Sequence, residues 1–312
     1  MNLVFFGTPQ FSVPILEALL THHEVTLVVS QPDRPAGRGL ELRPSAVAVR
    51  AAAAGVPVLK PNRARDSEVL YRVGQAHPDV VVVAAYGQIL PGSLLEVAPH
   101  GAINVHASLL PRWRGASPIT AAILAGDRES GVSIMQMDVG LDTGPVILQR
   151  ATPLNDREDA ETLATRLSGI GAEALLEALR EVAGGTATRR PQSSEGVTYA
   201  GLVKKSDGRL EWTVPALEIE RALRAYRPWP GVSLPLGGEQ VQVVDGGPVP
   251  GWWVSPERAE RPPGSVVDLT AEGIVVLTAS TPFLVQRVKP AGKREMSAVE
   301  YARGRRDLVR QT

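Results

Sequence analysis

Cysteine is absent from the 312 residues. Disulfides, thiolate nucleophiles and cysteine–zinc sites are therefore excluded. Charge of one sign is missing too, because 33 basic and 33 acidic side chains cancel. The molecule as a whole is no electrostatic glove for nucleic acid or membrane, although a local basic patch still has room. No uninterrupted apolar run approaches ~18 residues, so no membrane span is expected. The opening MNLVFFGTPQ has no basic stretch and soon turns polar. It reads as a first strand rather than a signal peptide, and a soluble, cytoplasmic protein is expected. His22, His23, His77 and His100 have no metal-site spacing, and no metal is expected. The first turn, FGTPQFS (6–12), lacks G-x-G-x-x-G, which argues against a dinucleotide there. Ser108 and Ser117 lack a G-x-S-x-G elbow, which argues against a serine nucleophile. Internal repeats and low-complexity tracts are also missing.

What is present is a chain long enough for two domains, since single cores rarely grow past ~250–300 residues. LVFFG (3–7), EVTLVVS (24–30), VPVLK (56–60) and DVVVVAAYG (79–87) are apolar runs of buried-strand type. Helical stretches at 8–22, 45–55 and 66–77 separate them. Unalternating strands between helices predict a mostly parallel sheet covered on both faces, hence an α/β fold. Further on, 101–106 is a short strand, 116–126 a helix, 131–140 a strand and 146–154 an edge strand. A helix of about 25 residues (159–183) closes the domain. QPDRPAGRGLELRP (31–44) holds three prolines and three arginines and is expected to contain no regular element. The polar stretch 184–210 reads as a linker. Beyond it come a helix at 214–231 and five short strand-like runs with Gly/Pro turns, which predict a small antiparallel barrel. The expected division is a domain at 1–188, a linker at 189–209 and a second domain at 210–312.

Polar chemistry sits where the 101–106 strand should be, in GAINVHASLLPRWRGASPI (101–119). Side chains alternate faces along a strand. Asn104 and His106 therefore share one side, about 7 Å apart by strand rise. An amide and an imidazole on one face supply a neutral donor and a titratable base. MDVGLDTGPV adds Asp138 and Asp142 between glycines, which suits a loop that cradles a flat ligand. A carboxylate beside His106 can orient the ring. In open α/β sheets, ligands bind outside the carboxyl ends of the strands. Gly7–Pro9, Tyr86–Gly87, 104–111 and 138–144 all fall at that edge. Arg34, Arg38 and Arg43 sit in the proline-rich loop and suit phosphate contacts. The segment 286–310 holds eight Lys/Arg against three Asp/Glu, including Lys289, Lys293 and Arg294. On a barrel surface that excess is a plausible nucleic-acid footprint.

Taken in order, FGTPQFS, QPDRPAGRG, VVAAYGQILP, GAINVHASLLPRWRGASPI, GVSIMQMDVGLDTG and VKPAGKREMSA resemble the methionyl-tRNA formyltransferase family over nearly the whole chain. The resemblance implies a Rossmann-like formyltransferase domain followed by an OB-like barrel. It implies transfer of formyl from 10-formyltetrahydrofolate to the methionine α-amino group of initiator methionyl-tRNA. Nothing in the residues demands an oligomer, and a monomer is the expectation. The family's catalytic residues fall on Asn104, His106 and Asp142. Its folate-contacting SLLP falls on Ser108, Leu109, Leu110 and Pro111, and Ile89, Leu90, Val139 and Gly140 would line the pterin slot. Its tRNA-facing loop arginine falls on Arg38. Asn104 would donate to the developing oxyanion. His106 suits either of two roles, donating to the same oxygen or taking the amine proton. Asp142 would orient His106 and help relay a proton. The N-x-H, SLLP and Asp signature is shared by other 10-formyltetrahydrofolate-dependent formyltransferases and hydrolases, so an amino-sugar acceptor or water is the alternative. The RPAGRG loop and the basic second domain favour tRNA. The stretch 247–262 has no counterpart in that pattern.

Overall fold

The computed structural model describes residues 1–36, 41–305 and 308. They form two compact units. Met1–Ile119, Arg128–Leu154 and Thr162–Leu202 make the first; Thr120–Asp127, Asn155–Glu161 and Val203 onward make the second. In chain order the elements up to residue 200 are β1 (Asn2–Gly7), α1 (Ser12–His22), β2 (Glu24–Val29), β3 (Arg34–Ala36), β4 (Glu41–Arg43), α2 (Ala46–Ala53), β5 (Val58–Leu59), α3 (Ser67–Gln75), β6 (Val80–Ala84) and α4 (Gly92–Leu95). They continue with β7 (Ala102–His106), β8 (Arg114–Gly115), α5 (Pro118–Ala125), β9 (Glu129–Gln136), β10 (Val146–Pro153), α6 (Ala160–Ala183) and β11 (Tyr199–Ala200).

Seven strands of the first unit form one sheet in the order β10-β9-β7-β6-β1-β2-β5. The five strands from β7 to β5 pair in parallel, and β9 is antiparallel to β7 and to β10. Strands β1 and β6 are almost wholly apolar because both faces are covered. Leu3, Val4, Phe5 and Phe6 of β1 and Val80, Val81 and Val82 of β6 are wholly buried. One face carries Val69 and Val73 of α3 with Leu94 and Leu95 of α4. Each such aliphatic side chain contributes roughly 1.5–3 kcal/mol on burial. On the other face α6 lies against β7: a Cβ at Gly171 would fall 2.9 Å from Val105 Cγ1. Val105 therefore points at α6. Alternation sends Asn104 and His106 to the opposite face.

Three expectations need correction, the third in the second unit below. The proline-rich loop does contain regular structure, since β3 and β4 pair as an antiparallel ribbon with Arg34 opposite Arg43 and Pro35 opposite Leu42. A proline is tolerated in an edge strand, where its missing N–H interrupts no ladder. The stretch 184–210 is not a bare linker either. It carries β11, which pairs in parallel with β8, and a 3-10 turn at Lys205–Gly208.

The second unit contains α7 (Ala216–Ala225), β12 (Val232–Leu236), β13 (Glu239–Pro248), α8 (Pro256–Ala259), β14 (Val266–Leu269), β15 (Ile274–Val276), β16 (Phe283–Lys289), β17 (Met296–Ser297) and α9 (Ala298–Arg303). Its strands form an antiparallel sheet in the order β12-β13-β16-β15-β14, with β17 on β16. Helix α7 stops before Pro228, earlier than the 214–231 pattern predicts. It lays Ala216, Ile219, Ala222 and Leu223 onto Leu234, Val241, Phe283 and Val285, at the spacing of one helix face. The stretch 247–262 is a lid on this sheet. Val249, Trp252 and Val254 pack over Val267, Val275 and Leu284, while Trp253 is exposed. Among the described residues no helix is long and apolar enough to cross a membrane.

At the end of β6 the Tyr86 ring is buried and meets Phe6 edge-on at 5.2 Å. Its hydroxyl has no hydrogen-bond partner among the described residues. Burial, helped by the charge of Asp66, pushes the phenol up from 10.0 to about 12. The unfolded chain ionises this group first, so its share of stability is complete below about pH 10 and is lost as the pH rises toward 12. Tyr86→Phe removes a buried, unpaired hydroxyl whose desolvation costs about 1–3 kcal/mol. The variant is expected to match or exceed the parent in urea unfolding at neutral pH, with its advantage growing in alkali. A loss of stability on substitution contradicts this account.

Candidate active site

The carboxyl edge of the sheet is tied together by side chains. Ser12 Oγ donates to Ala84 O at 2.7 Å, and Thr8 Oγ1 and Gln31 Nε2 both donate to Tyr86 O. These bonds link the ends of β1, β2 and β6. Next to them β7 presents Asn104 and His106, 8% and 5% exposed. Asp142 reaches both from the loop after β9. Asn104 Nδ2 donates to its Oδ1 at 3.4 Å, and His106 Nδ1 lies 3.7 Å from its Oδ2. The same Oδ2 accepts the Gly115 amide at 2.8 Å. Three chain segments, 104–106, 115 and 142, thus meet on one carboxylate.

The other edge of the imidazole settles which nitrogen bears hydrogen. His106 Nε2 lies 2.9 Å from Trp113 O. A carbonyl only accepts, so Nε2 carries the hydrogen. Nδ1 is left as the edge of the ring beside Asp142. Trp113 and Asp142 are both non-glycine residues in the left-handed region, at φ 60° and 52°. Such conformations cost of order 1–3 kcal/mol and persist where surroundings over-determine them. Here they aim the Trp113 carbonyl and the Asp142 side chain at His106.

The remaining residues singled out in the sequence fall as follows. Ser108 is buried and donates to Arg112 O at 2.6 Å. Leu110 is buried with Met135 and Val146, and the Leu110–Pro111 bond is cis. Leu109 packs near Gly131, where an added Cβ would meet Leu109 Cδ2 at 2.5 Å. Ser133 Oγ and Gln149 Nε2 pin this turn by bonding Ser108 O and Leu110 O respectively. Leu90 is buried, whereas Ile89 and Val139 are 86% and 84% exposed. A Cβ at Gly92 would sit 3.7 Å from Val139 Cγ1, so the 89–92 and 138–144 loops are neighbours. Asp138 stays within its own loop, accepting from Gly140 N at 3.0 Å and Thr143 Oγ1 at 2.7 Å. Gly140 admits no side chain, because a Cβ would overlap Thr143 Oγ1.

Arg34 and Arg43 are exposed on the β3–β4 ribbon, and Arg38 lies outside the described residues. In the second unit Lys289, Lys293 and Arg294 are exposed. Arg294 lies 3.7 Å from Glu300, and Arg287 pairs with Glu295 at 2.6 Å. Exposed pairs of this kind contribute little, but they offset part of the basic excess read from the sequence. Sequence reasoning missed Trp113 O, Ser133, Gln149 and Gln192. A backbone carbonyl leaves no trace in sequence, and isolated Ser and Gln residues carry no period.

Residues 1–179 match the family described as formyl transferase, and residues 202–306 match the formyl transferase C-terminal domain. The methionyl-tRNA formyltransferase of Thermus thermophilus is 46% identical over 97% of this chain and 96% of its own. HypX from Aquifex aeolicus, solved in complex with tetrahydrofolic acid, aligns with a TM-score of 0.64 at 17% identity, over 96% of this chain and 46% of its own. An N-formyltransferase from Helicobacter canadensis, in complex with folinic acid and dTDP-3-aminofucose, aligns at 0.65 and 17% identity over 91% and 98%. At that identity the two structures establish a common fold.

Gly115 holds its place by lacking a side chain. Its φ is 117°, and a Cβ would fall 2.5 Å from Ala200 O. Gly115→Ala is expected to lower the melting temperature by several degrees, as strained substitutions costing a few kcal/mol do, and to displace the amide that holds Asp142. Differential scanning calorimetry checks it; an unchanged melting temperature contradicts the packing described.

Proposed function

The chain belongs to the methionyl-tRNA formyltransferase family, and from that premise we propose that Asn104, His106 and Asp142 carry its reaction at the end of β7. The enzyme transfers a formyl group to methionyl-tRNA. The donor we assign is 10-formyltetrahydrofolate, and the acceptor atom is the methionine α-amino nitrogen of the initiator tRNA. Support for the donor comes from two folate-bound proteins of the same fold. It comes also from the exposed Ile89 and Val139 beside the side-chain-free backbone at Gly140. Two apolar side chains and bare backbone suit a flat heterocycle with a hydrogen-bonding edge.

The observation that carries the residue assignment is the meeting of Asn104, His106 and the Gly115 amide on Asp142. In the proposed mechanism the neutral amine adds to the formyl carbon, and charge develops on the formyl oxygen. Asn104 donates an N–H to that oxygen. Loss of such a donor costs roughly 10²–10³ in kcat. His106 takes the amine proton on Nδ1, the ring edge that the Trp113 carbonyl leaves available. Asp142 holds the imidazolium and hands the proton on toward the folate N10. The N10–carbon bond then breaks, giving formylmethionyl-tRNA and tetrahydrofolate. Ser108, Leu109, Leu110 and Pro111 shape the folate side of the site. Arg34, Arg38 and Arg43 contact the acceptor-stem backbone, and Lys289, Lys293 and Arg294 add phosphate contacts. Exposure of the described members of both sets supports this reading.

Formation of formylmethionyl-tRNA from charged initiator tRNA and 10-formyltetrahydrofolate tests the whole reading; no transfer would remove it. Asp142→Asn should slow transfer at least ~10²-fold, within the range of general acid–base contributions, with folate binding retained. Turnover near normal would take Asp142 out of the mechanism. Arg38→Ala should raise the KM for tRNA much more than the Kd for the folate. Equal losses in both would sink the loop's assignment to tRNA.

A further inference from the structure

Gln192 lies in the stretch expected to be a passive linker, yet its carboxamide is fully used at the reacting site. Its Oε1 accepts from Arg114 Nε at 3.0 Å and Arg114 Nη2 at 2.7 Å. Its Nε2 donates to Asp142 O and Gly144 O, both at 2.8 Å. A carboxamide has two donor hydrogens and one twice-accepting oxygen; all are engaged. The orientation is unambiguous, because a guanidinium only donates and carbonyls only accept. Arg114 is itself 9% exposed, so its contact with Gln192 is sheltered from water.

The chain on both sides of Gln192 is anchored to the same site. Arg190 and Val146 exchange backbone hydrogen bonds at 2.8 and 2.9 Å. Thr198 accepts from Trp113 N through its side chain at 2.8 Å and from Arg114 N through its carbonyl at 2.9 Å. Ala116 N donates to Ala200 O at 2.9 Å. The segment 190–200 is therefore a strap across the segments that bear Trp113, Gly115 and Asp142. Near its start, Gln192 grips the backbone of a residue whose φ is 52°, outside the ordinary range for a side-chain-bearing residue.

We infer that Gln192 is a positioning residue: it holds the Asp142 backbone so that the carboxylate faces Asn104 and His106, and the strap from 190 to 200 is part of the enzyme's reacting site. The inference rests on the reading of Asp142 given above. Gln192→Glu keeps an acceptor for Arg114 but deletes both N–H donors and sets a carboxylate oxygen against two carbonyl oxygens. Gln192→Ala deletes all four bonds.

The test is a set of initial-rate measurements on Gln192→Glu and Gln192→Ala, each made in the parent and in Asp142→Asn. In the parent, kcat should fall at least ~10-fold while the KM for 10-formyltetrahydrofolate stays within about twofold, the pattern of an interaction used in the transition state. In Asp142→Asn, the same substitutions should change kcat less than about twofold, because coupled residues are not additive. A structural role alone lowers kcat equally in both backgrounds, and that result overturns the inference. An unchanged kcat in the parent overturns it as well. If Gln192→Ala fails to fold, Gln192→Glu, which keeps its partner on Arg114, decides. A near-normal rate for Asp142→Asn by itself removes the reading of Asp142, and the inference with it. Slow Asp142→Asn with equal Gln192 losses in both backgrounds removes the inference alone.

Discussion

One carboxylate organises the site. Asp142 accepts from the Gly115 amide at 2.8 Å and from Asn104 at 3.4 Å, and it stands 3.7 Å from His106 Nδ1. A strand, a two-residue strand and a loop are brought to one point by that side chain. It sits on a residue of positive φ, so the arrangement does not form from local preference. Neighbouring segments must hold it, through the Gly115 amide and the Gln192 side chain.

The sheet supplies the rigid half of that support. β7 pairs with β6 on one side and β9 on the other, and Val105 is pressed toward Gly171 of α6. A shift of β7 by one residue would turn Asn104 and His106 into the helix layer and Val105 into the site. Burial of the β7 apolar side chains therefore sets the polar ones. The loops supply the other half. Ser133 and Gln149 fix the 108–111 turn, and the Trp113 carbonyl fixes the His106 ring. A rigid strand bears Asn104 and His106, while side-chain hydrogen bonds help to set the loops that approach them, Asp142 among them.

That division explains what could be read from the sequence. The continuous apolar runs of β1 and β6 are visible because both their faces are buried, and α6 is visible because its apolar period persists over 24 residues. Asn104 and His106 could be placed on one face from strand alternation alone. The β3–β4 ribbon was hidden because prolines argue against a strand, and two-residue strands such as β8 and β11 have no period to detect. The approach of Asp142 depends on a left-handed residue that no local pattern announces. Gln192 was hidden in a polar stretch because a side-chain hydrogen bond to a backbone carbonyl leaves no hydrophobic trace. The resemblance to the formyltransferase family supplied Asp142 by motif; the geometry supplies the reason that it belongs with the other two.

If Asn104 and Asp142 act as one unit, their losses will not add. Single-turnover formyl transfer should be measured for Asn104→Ala, Asp142→Asn and the double variant, at saturating 10-formyltetrahydrofolate and methionyl-tRNA. The account predicts a double variant about as slow as the slower single one, as is found for groups that act together. Rate losses that multiply would contradict it, showing two independent contributions rather than one carboxylate-centred site.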